Sequence, residues 1–304
     1  MTLRKPLDLF AITVMVALCA LWGSQPISVK LIAGDVAPLM QMGLRSAIAA
    51  LVLGALTIGR EGPRAFSDGT LPAGLLIGLL FAAEFLFIAQ GLVLTSASHL
   101  VVFLYSAPIF SALALHMRFA DERLSPLQWA GVAVAFGGMA VSFLGGGSMS
   151  RDMLLGDSLG LLAGLAWGLT TVVIRVAKLS EAPAVKTLFY QVAFAGVTLL
   201  GLAALAGQTG MDLTPRVLLH LSYQTVVITL ISYVVWFWLL RHYLASRLSI
   251  LSFLTPLFGV VFGVMILNEP LEPPFVMGAI LVLLGVSLVS GAEFLREKLT
   301  RRTA

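Results

Sequence analysis

Charged side chains are scarce in this sequence of 304 residues, of which aspartate, glutamate, lysine and arginine make up 11%. Soluble domains carry about 25% charged residues, whereas here hydrophobic residues make up 59% and the mean hydropathy is +0.99. This composition excludes a soluble globular protein and indicates an integral membrane protein. Cysteine is almost absent as well. Cys19 stands alone, which excludes an intrachain disulfide and a metal site built from cysteines.

Several functional motifs are also missing. The sequence has no His-Glu-x-x-His zinc motif and no nucleotide-binding P-loop, so we predict no enzyme, no cofactor, no metal and no ATP-driven pump. The charge rings and filter loops that are typical of channels are not evident. The isoelectric point near 9.5 would suggest a nucleic-acid partner for a soluble protein, but the basic residues lie in short connections between apolar runs. We therefore expect a lipid bilayer around the chain and no nucleic acid.

The chain contains one pattern twice. Ala97-Ser98, Pro108, Phe110, Glu122, Gly131 and Gly138 recur in the same order as Ala245-Ser246, Pro256, Phe258, Glu269, Gly278 and Gly285. The spacing Glu-x8-Gly-x6-Gly is identical in both copies. Nearer the front of each copy, Trp22-Gly23 and Lys30 recur as Trp167-Gly168 and Arg175. We predict two repeats, at residues 1–147 and 148–304, that together form one domain.

Apolar runs that are long enough to span a bilayer core of roughly 30 Å predict ten transmembrane helices in an all-α protein. The predicted spans are 9–32, 38–58, 71–95, 99–116, 126–144, 156–177, 183–206, 217–243, 248–267 and 274–294. All of the 19 lysines and arginines except Lys30, Arg45, Arg151 and Arg216 fall on one side of this arrangement. The positive-inside rule makes that side, with both chain termini, cytoplasmic. Because each repeat has an odd number of helices, the second repeat is predicted to be inverted relative to the first.

These doubled motifs resemble those of the drug/metabolite transporter superfamily of EamA type, over almost the whole chain. The resemblance implies ten helices in two inverted five-helix repeats, residence in the bacterial inner membrane, and export of small metabolites, among them aromatic and other neutral amino acids. We expect transport of a small molecule by alternating access, with the protein functional as a monomer. The alternative that stays open is an uptake permease or a facilitator for another small metabolite. Whether transport is coupled to protons or is facilitated diffusion also stays open.

A central cavity between the repeats is the expected binding site. Its candidate lining is aromatic with a few polar groups: Trp22, Gln25, Glu84, Phe85, Gln90, Tyr105, Trp167, Tyr233, Trp236 and Ser252. Such a chamber would suit an amphipathic solute with an apolar side chain. The alternative for each aromatic residue is helix packing or an interfacial belt.

Charged residues inside the membrane are the clearest functional candidates, because burying them is costly. Arg45 lies about 10 Å below the outer start of its helix and Glu84 about 20 Å above the inner start of its own, at 1.5 Å per residue. We predict an ion pair between them, direct or through water, with a structural role or with a protonation coupled to the solute. Glu122 and Glu269 are predicted to cap the helices that follow them. His99 is predicted to be a satisfied interfacial histidine, with titration or gating as the alternative.

Prolines within the spans give a further set of candidates. Pro26, Pro108 and Pro256 are predicted kinks, the last two being equivalent in the repeat, and they serve either in gating or as static bends. Along the sixth predicted helix, Gly156, Gly160, Gly164 and Gly168 recur every fourth residue. This stripe predicts that a neighbouring helix approaches closely there.

Overall fold

The structure is a computed structural model that describes residues 8–62, 65–119, 123–144, 150–177, 179, 182–243, 248 and 251–300. The described residues contain no β-strand beyond an isolated bridge between Val36 and Met211. The principal helices are α1 (Leu9–Leu31), α2 (Pro38–Glu61), α3 (Leu71–Leu94), α4 (Ala97–Leu104), α5 (Ala107–Arg118), α6 (Pro126–Leu144), α7 (Arg151–Val176), α8 (Ala184–Leu205), α9 (Pro215–Ser222), a π-helical segment (Tyr223–Ile231), α10 (Ser232–His242), α11 (Leu254–Leu267) and α12 (Pro273–Thr300). The prediction of an all-α protein is therefore confirmed for this part of the chain.

Seven helical stretches are long and apolar enough to cross a membrane: Leu9–Leu31, Pro38–Arg60, Leu71–Leu94, Ala97–Arg118, Arg151–Val176, Ala184–Leu205 and Pro215–Trp236. Leu254–Leu267 and Pro273–Val289 are shorter apolar helices, and α6 adds a further apolar helix of 19 residues. When α4 and α5 are taken as one span, and α9 to α10 as another, the described helices fall into the ten predicted spans.

The predicted helix 99–116 is interrupted. It ends as α4 at Leu104 and begins again as α5 at Ala107, with Pro108 in the first turn. The absent N–H of a proline costs nothing in a first turn. Pro256 has the matching place near the start of α11, whereas Pro26 lies inside α1, which continues through it. The structure thus has breaks next to Pro108 and Pro256 and none at Pro26, and a gating role for any of the three stays a prediction.

The start of α7 differs from the prediction. The helix begins at Arg151, more than one turn before the expected Gly156, because the Ser150 side chain caps it by accepting a hydrogen bond from the Met153 N–H at 3.1 Å. The glycine stripe then lies within the helix. Its members pack against the end of α3 and against α4 and α5, where a Cβ added to Gly164 would lie 2.9 Å from the Leu104 carbonyl oxygen.

A π-helical segment in the eighth span was not predicted. Over Tyr223–Ile231 the backbone hydrogen bonds reach one residue further than in an α-helix. The Thr229 hydroxyl donates to the Gln224 carbonyl oxygen, five residues back, at 2.9 Å. The segment widens the helix beside α1 and α2, and π-segments in proteins are frequent at functional sites.

Two helix contacts in the halves are equivalent. A Cβ added to Gly23 of α1 would lie 2.8 Å from the Cβ of Phe258 on α11, and one added to Gly168 of α7 would lie 2.9 Å from the Cβ of Phe110 on α5. The sequence repeat pairs Gly23 with Gly168 and Phe258 with Phe110. Each contact joins one half of the chain to the other, so the same close approach is made twice between the halves.

Helices α6 and α12 cross backbone to backbone at four glycines. A Cβ on Gly131 would lie 2.8 Å from the Gly285 carbonyl oxygen, and a Cβ on Gly138 would lie 2.6 Å from that of Gly278. The early glycine of each helix therefore meets the late glycine of the other, so the two helices run antiparallel. Small residues permit this approach, in which dispersion contacts between backbones hold the helices together.

A buried lysine fixes the connection between α2 and α3. The ammonium of Lys186, near the start of α8, is 1% exposed and donates to the carboxylate of Asp68 at 2.7 Å and to the carbonyl oxygen of Ala65. Asp68 also accepts the Thr70 hydroxyl at 2.6 Å. The hydrogen bond from Lys186, followed by that from Thr70, holds the pKa of the Asp68 carboxyl well below its usual range.

We expect Asp68→Asn to lower the free energy of unfolding by about 1 kcal/mol at neutral pH, since solvent screens this half-exposed carboxylate. A lowered folded-state pKa stabilises the protein above the unfolded-state pKa of about 4, and the stabilisation is lost as the pH falls towards the folded-state value. The difference in melting temperature between wild type and variant in detergent should be constant at neutral pH and shrink below about pH 4. A difference independent of pH down to that range would contradict this account. Asp212→Asn, at an exposed position, is the control.

Candidate functional site

A small polar cavity lies inside the bundle. It is lined by residues of α1, α2, α3, α8, the π-helical segment and α10, namely Gln25, Arg45, Ser46, Phe81, Phe85, Leu188, Val192, Ile228, Thr229 and Tyr233. Its free space of about 20 Å³ is room for one water molecule. Three residues predicted to line a chamber, Gln25, Phe85 and Tyr233, are brought together here with Arg45. The structure therefore places a closed, partly polar space between helices of the two predicted repeats.

Arg45 is the cation of this cavity and is 3% exposed. Its guanidinium carbon lies 4.4 Å from the centre of the Phe85 ring. With the Gln25 amide turned to satisfy both of its polar groups, the amide oxygen accepts from Nη1 at 2.7 Å and from Nη2 at 3.1 Å. The Nε of Arg45 is buried and has no hydrogen-bond partner. The guanidinium is thus held in place while one of its donors is left unused.

The direct ion pair predicted between Arg45 and Glu84 is not formed, since no nitrogen of one lies within 4.0 Å of an oxygen of the other among the salt bridges of the described residues. The guanidinium instead packs on the ring of Phe85 and faces Gln25. Glu84 is 7% exposed, and its Oε2 has no hydrogen-bond partner. The two groups interact electrostatically across a longer distance.

The two tryptophans that are equivalent in the sequence repeat lie outside this cavity, in separate aromatic groups. Trp22 of α1 donates its Nε1–H to the Ser232 hydroxyl at 2.9 Å, and its ring is 5.7 Å from Trp236 and 6.5 Å from Tyr233. The group around Trp22 therefore borders the cavity through Tyr233.

Trp167 packs at a different place, on Tyr105 at the break between α4 and α5, with ring centres 5.2 Å apart. Tyr105 is 7% exposed and belongs to the hydrophobic core there. Gln90 and Ser252 are half-buried and Glu84 is buried, and none of the three is among the residues that line the cavity. A single chamber formed by all the predicted residues is therefore absent from the described conformation.

A second buried polar cluster lies at the π-helical segment and was not predicted. The Gln224 amide donates to the Gln41 side-chain oxygen at 3.0 Å and to the Ser28 hydroxyl at 3.3 Å. Ser28 in turn bonds to His220 Nδ1 at 2.9 Å. Both glutamines are fully buried. No sequence signal identifies this cluster, because its members come from three separate spans.

At the end of the bundle where α1 ends and α4 begins, which we name the Lys30 end, Glu269 joins the two halves. Its carboxylate accepts the N–H groups of Ala97 and Ser98 at 2.7 and 3.0 Å and the Ser98 hydroxyl at 2.7 Å. Lys30 lies 3.6 Å from this carboxylate and donates to the Thr95 carbonyl oxygen at 2.7 Å.

Glu269 therefore caps a helix, as predicted, but the helix is not the predicted one. Glu269 caps α4, which belongs to the other half of the chain, and not the helix that follows it. Glu122 lies outside the described residues.

A surface depression of about 540 Å³ at the Lys30 end is lined by Lys30, Ala33, Gly34, Pro38, Leu92, Val93, Leu267 and Glu269.

His99 forms a buried pair with Asp157 of α7. Its Nδ1 lies 2.8 Å from the Asp157 carboxylate, and the two side chains are 3% and 0% exposed. Asp157 also accepts the Thr95 hydroxyl at 2.6 Å, and the imidazole stacks on Phe275 with centres 3.7 Å apart. His99 Nε2 has no hydrogen-bond partner. His99 is therefore buried and paired rather than interfacial, and its partner was missed because Asp157 lies close to the predicted start of its span.

The sequence Gly156-Asp157-Ser158-Leu159-Gly160 matches the Gly-x-Ser-x-Gly pattern of serine hydrolases. That pattern requires a sharp turn between a strand and a helix, whereas here it lies within α7, and the Ser158 hydroxyl donates to the Leu154 carbonyl oxygen at 2.7 Å. It is therefore not a nucleophile elbow. Within the described part of the chain there is also no group of three or more His, Cys, Asp or Glu side chains that could hold a metal ion.

Comparisons with known proteins agree with this architecture. The model of the EamA-like transporter family matches the chain twice, over residues 9–144 and 154–291. The chain is 22% identical over 277 residues to "Uncharacterized transporter YoaV" of Bacillus subtilis (strain 168), covering 90% of this chain and 94% of that protein. It is 26% identical over 278 residues to the "Probable amino-acid metabolite efflux pump" of Escherichia coli (strain K12), covering 87% and 89%. A solved crystal structure has a TM-score of 0.65 at 16% identity, covering 92% of this chain and 97% of that one, which shows a shared fold.

Proposed function

Since the chain belongs to the EamA-like transporter family, we propose that it exports small amphipathic metabolites, amino acids first among them, by alternating access. Proteins of this family and the named relatives are transporters and not enzymes. The observation that supports this function best is the enclosed cavity between the halves, which holds a buried arginine with an unused donor. A buried, incompletely paired charge in a membrane is a mark of a solute pathway.

The proposal includes two inverted repeats, residues 1–147 and 148–304. The contact between Gly23 and Phe258 recurs as the contact between Gly168 and Phe110, which supports a two-fold relation between the halves. A two-fold axis that exchanges antiparallel helices, as at the glycine crossing of α6 and α12, lies perpendicular to them. Such an axis would lie in the membrane plane, as expected for inverted transporter repeats.

For location, we propose the bacterial inner membrane, with both termini in the cytoplasm and the Lys30 end outside. The distribution of lysine and arginine supports this orientation. One chain carries both repeats, so we propose that a monomer is sufficient for transport.

The described conformation is closed. Pockets that bind small molecules measure about 300–1,000 Å³, whereas the central cavity has about 20 Å³ of free space, which is room for one water molecule. At the Lys30 end, Glu269 ties the loop before α12 to the start of α4, and Lys30 ties α1 to both. We propose that these contacts hold the outer side closed, and that their release together with movement at the breaks near Pro108 and Pro256 opens the cavity.

Counterflow of labelled phenylalanine and leucine into proteoliposomes tests this function. We expect saturable uptake that is faster with unlabelled solute inside. Trp22→Ala should lower the rate about tenfold, the equivalent of about 1.4 kcal/mol, because it removes the support of Tyr233 at the cavity wall. Trp129→Ala, on the exposed face of α6, is the matched control. The absence of counterflow for both amino acids in wild type would contradict the proposal, and imposed gradients in sealed vesicles separate export from uptake.

A further inference from the structure

We propose that Arg45 and Glu84 bind the two charged ends of a zwitterionic solute, Arg45 the carboxylate and Glu84 the ammonium group. This inference rests on the proposed transport function and assigns its substrate class at the level of charge: an amino acid with its α-carboxylate and α-ammonium both free. Each residue has a buried polar atom without a hydrogen-bond partner in the protein. The two residues lie on neighbouring helices, α2 and α3.

Both side chains are buried, and each has a polar atom without a partner. Arg45 is 3% exposed and Glu84 7%, and Arg45 Nε and Glu84 Oε2 have no hydrogen-bond partner. Leaving buried polar atoms of charged groups unsatisfied is expensive, above all within a bilayer. A zwitterionic ligand would supply both missing partners, because its carboxylate can bind the Arg45 guanidinium and its ammonium group can bind the Glu84 carboxylate.

Two other cations of the bundle, the buried Lys186 and the half-buried Lys30, have partners within the protein. Lys186 is bonded to Asp68 and Ala65, and Lys30 lies beside Glu269 and bonds to Thr95. These lysines join elements of the fold to each other. Arg45 differs because Glu84, the carboxylate on the neighbouring helix, interacts with it electrostatically but does not form an ion pair within 4.0 Å.

The shape of the arginine side chain suits a carboxylate ligand. A guanidinium binds a carboxylate through two parallel N–H groups, and the edge of Arg45 that carries Nε is available for this. Gln25 accepts from both terminal nitrogens and fixes the plane of the group, while Phe85 covers one face at 4.4 Å. The arginine is therefore oriented before a solute arrives, which reduces the entropy lost on binding.

The cavity also has an apolar part. Beside the guanidinium lie the rings of Phe81 and Phe85, 4.5 Å apart, and Leu188, Val192 and Ile228 complete the wall. Apolar walls around a few placed polar groups are typical of small-molecule sites. We therefore assign a neutral amino acid with an apolar or aromatic side chain, which would enter after the cavity enlarges far enough to reach Glu84.

The test uses competition against labelled phenylalanine counterflow in proteoliposomes of the full chain. Phenylalanine is compared with 3-phenylpropionate, which lacks the ammonium group, and with 2-phenylethylamine, which lacks the carboxylate. For wild type we expect each analogue to reach half-maximal competition at a concentration about 100-fold higher than phenylalanine does. An analogue without one charged group leaves the protein side chain that binds this group without a partner. Equal competition by either analogue in wild type would overturn the assignment whatever the variants do.

Each variant should lose one half of this discrimination. In Arg45→Gln, phenylalanine and 2-phenylethylamine should compete within about threefold of each other, with Arg45→Lys restoring part of the preference. In Glu84→Gln, phenylalanine and 3-phenylpropionate should become similar. Counterflow with the preferences intact in both variants overturns this inference and leaves the proposed function standing. No counterflow of any amino acid in wild type overturns the proposed function itself.

Discussion

Replacing Gly138 with valine is expected to cost about 3 kcal/mol or more of folding free energy, the upper end of overpacking in a close-packed interior. A Cβ at this position would lie 2.6 Å from the Gly278 carbonyl oxygen and 2.7 Å from both the Leu281 Cβ and the Val282 backbone nitrogen of α12. These atoms belong mainly to the helix backbone, which cannot turn aside as a side chain can. Valine therefore forces α6 and α12 apart, and we expect little monodisperse protein after extraction in detergent.

The neighbouring residue supplies the control. Gly137 is on the same helix, and a Cβ added there meets no atom within 4 Å. Gly137→Val changes helix propensity as Gly138→Val does, without the clash, so it should melt within a few degrees of wild type. Thermal unfolding of the two purified variants is the measurement. Similar melting temperatures would show that α6 and α12 do not cross at these glycines.

Replacing Asp157 with alanine is the second change for which we expect a large effect, a loss of about 2–4 kcal/mol. Two buried donors depend on this carboxylate: the Thr95 hydroxyl at 2.6 Å and the imidazole of His99 at 2.8 Å. Removing the carboxylate leaves both partners without an acceptor in a site that water does not reach, and each unsatisfied group costs about 1–3 kcal/mol. The junction of α3, α4 and α7 should loosen, and the melting temperature in detergent should fall.

Two variants separate this effect from a general loss of charge. Asp157→Asn keeps an oxygen that accepts one of the two hydrogen bonds, so its melting temperature should lie between those of wild type and Asp157→Ala. Asp152→Ala removes an exposed carboxylate from the same helix and should change stability by less than about 0.5 kcal/mol. An Asp157→Ala protein as stable as Asp152→Ala would contradict the described network.

The repeat and the apolar runs were sufficient to predict the helical fold, because hydrophobic length and duplicated spacing are properties of the sequence itself. The ten spans, the break before Pro108 and the close approach along the glycines of α7 all follow from such local signals. The π-helical segment at Tyr223–Ile231 could not be predicted, since its residues are ordinary helix residues and the extra hydrogen-bond step is set by packing against other helices.

The candidate site was predicted in part. Depth along a helix placed Arg45 and Glu84 correctly in the interior, yet depth contains no information on rotation about the helix axis. The direct form of their predicted ion pair is therefore not made, and a pair through water stays a prediction. Glu269 was recognised as a helix cap, but sequence order suggested the following helix, whereas the tertiary fold presents it to α4 of the other half. Partners that lie far apart in the chain, such as His99 and Asp157, are found only when the helices are packed.

Trp22 and Trp167 were predicted to line the central cavity, and neither does so in the structure. Trp22 and Trp167 are equivalent in the repeat, and in the structure each packs against an aromatic residue of its own neighbourhood, Tyr233 and Tyr105. Positions that are equivalent in a sequence repeat have similar surroundings and need not face each other. The polar cavity is lined instead by Gln25, one turn after Trp22, together with Arg45 from α2.

The most direct test of the account is the accessibility of Ser46, which lines the central cavity and is 2% exposed. Ser46→Cys in a Cys19→Ser background would be treated with a membrane-impermeant maleimide in sealed vesicles of both orientations, with Gly34→Cys at the Lys30 end reporting sidedness. Alternating access predicts that Ser46→Cys is labelled from either side and that saturating phenylalanine slows labelling. Labelling from neither side, or from one side only whether or not solute is present, would contradict a cavity that opens alternately to both faces of the membrane.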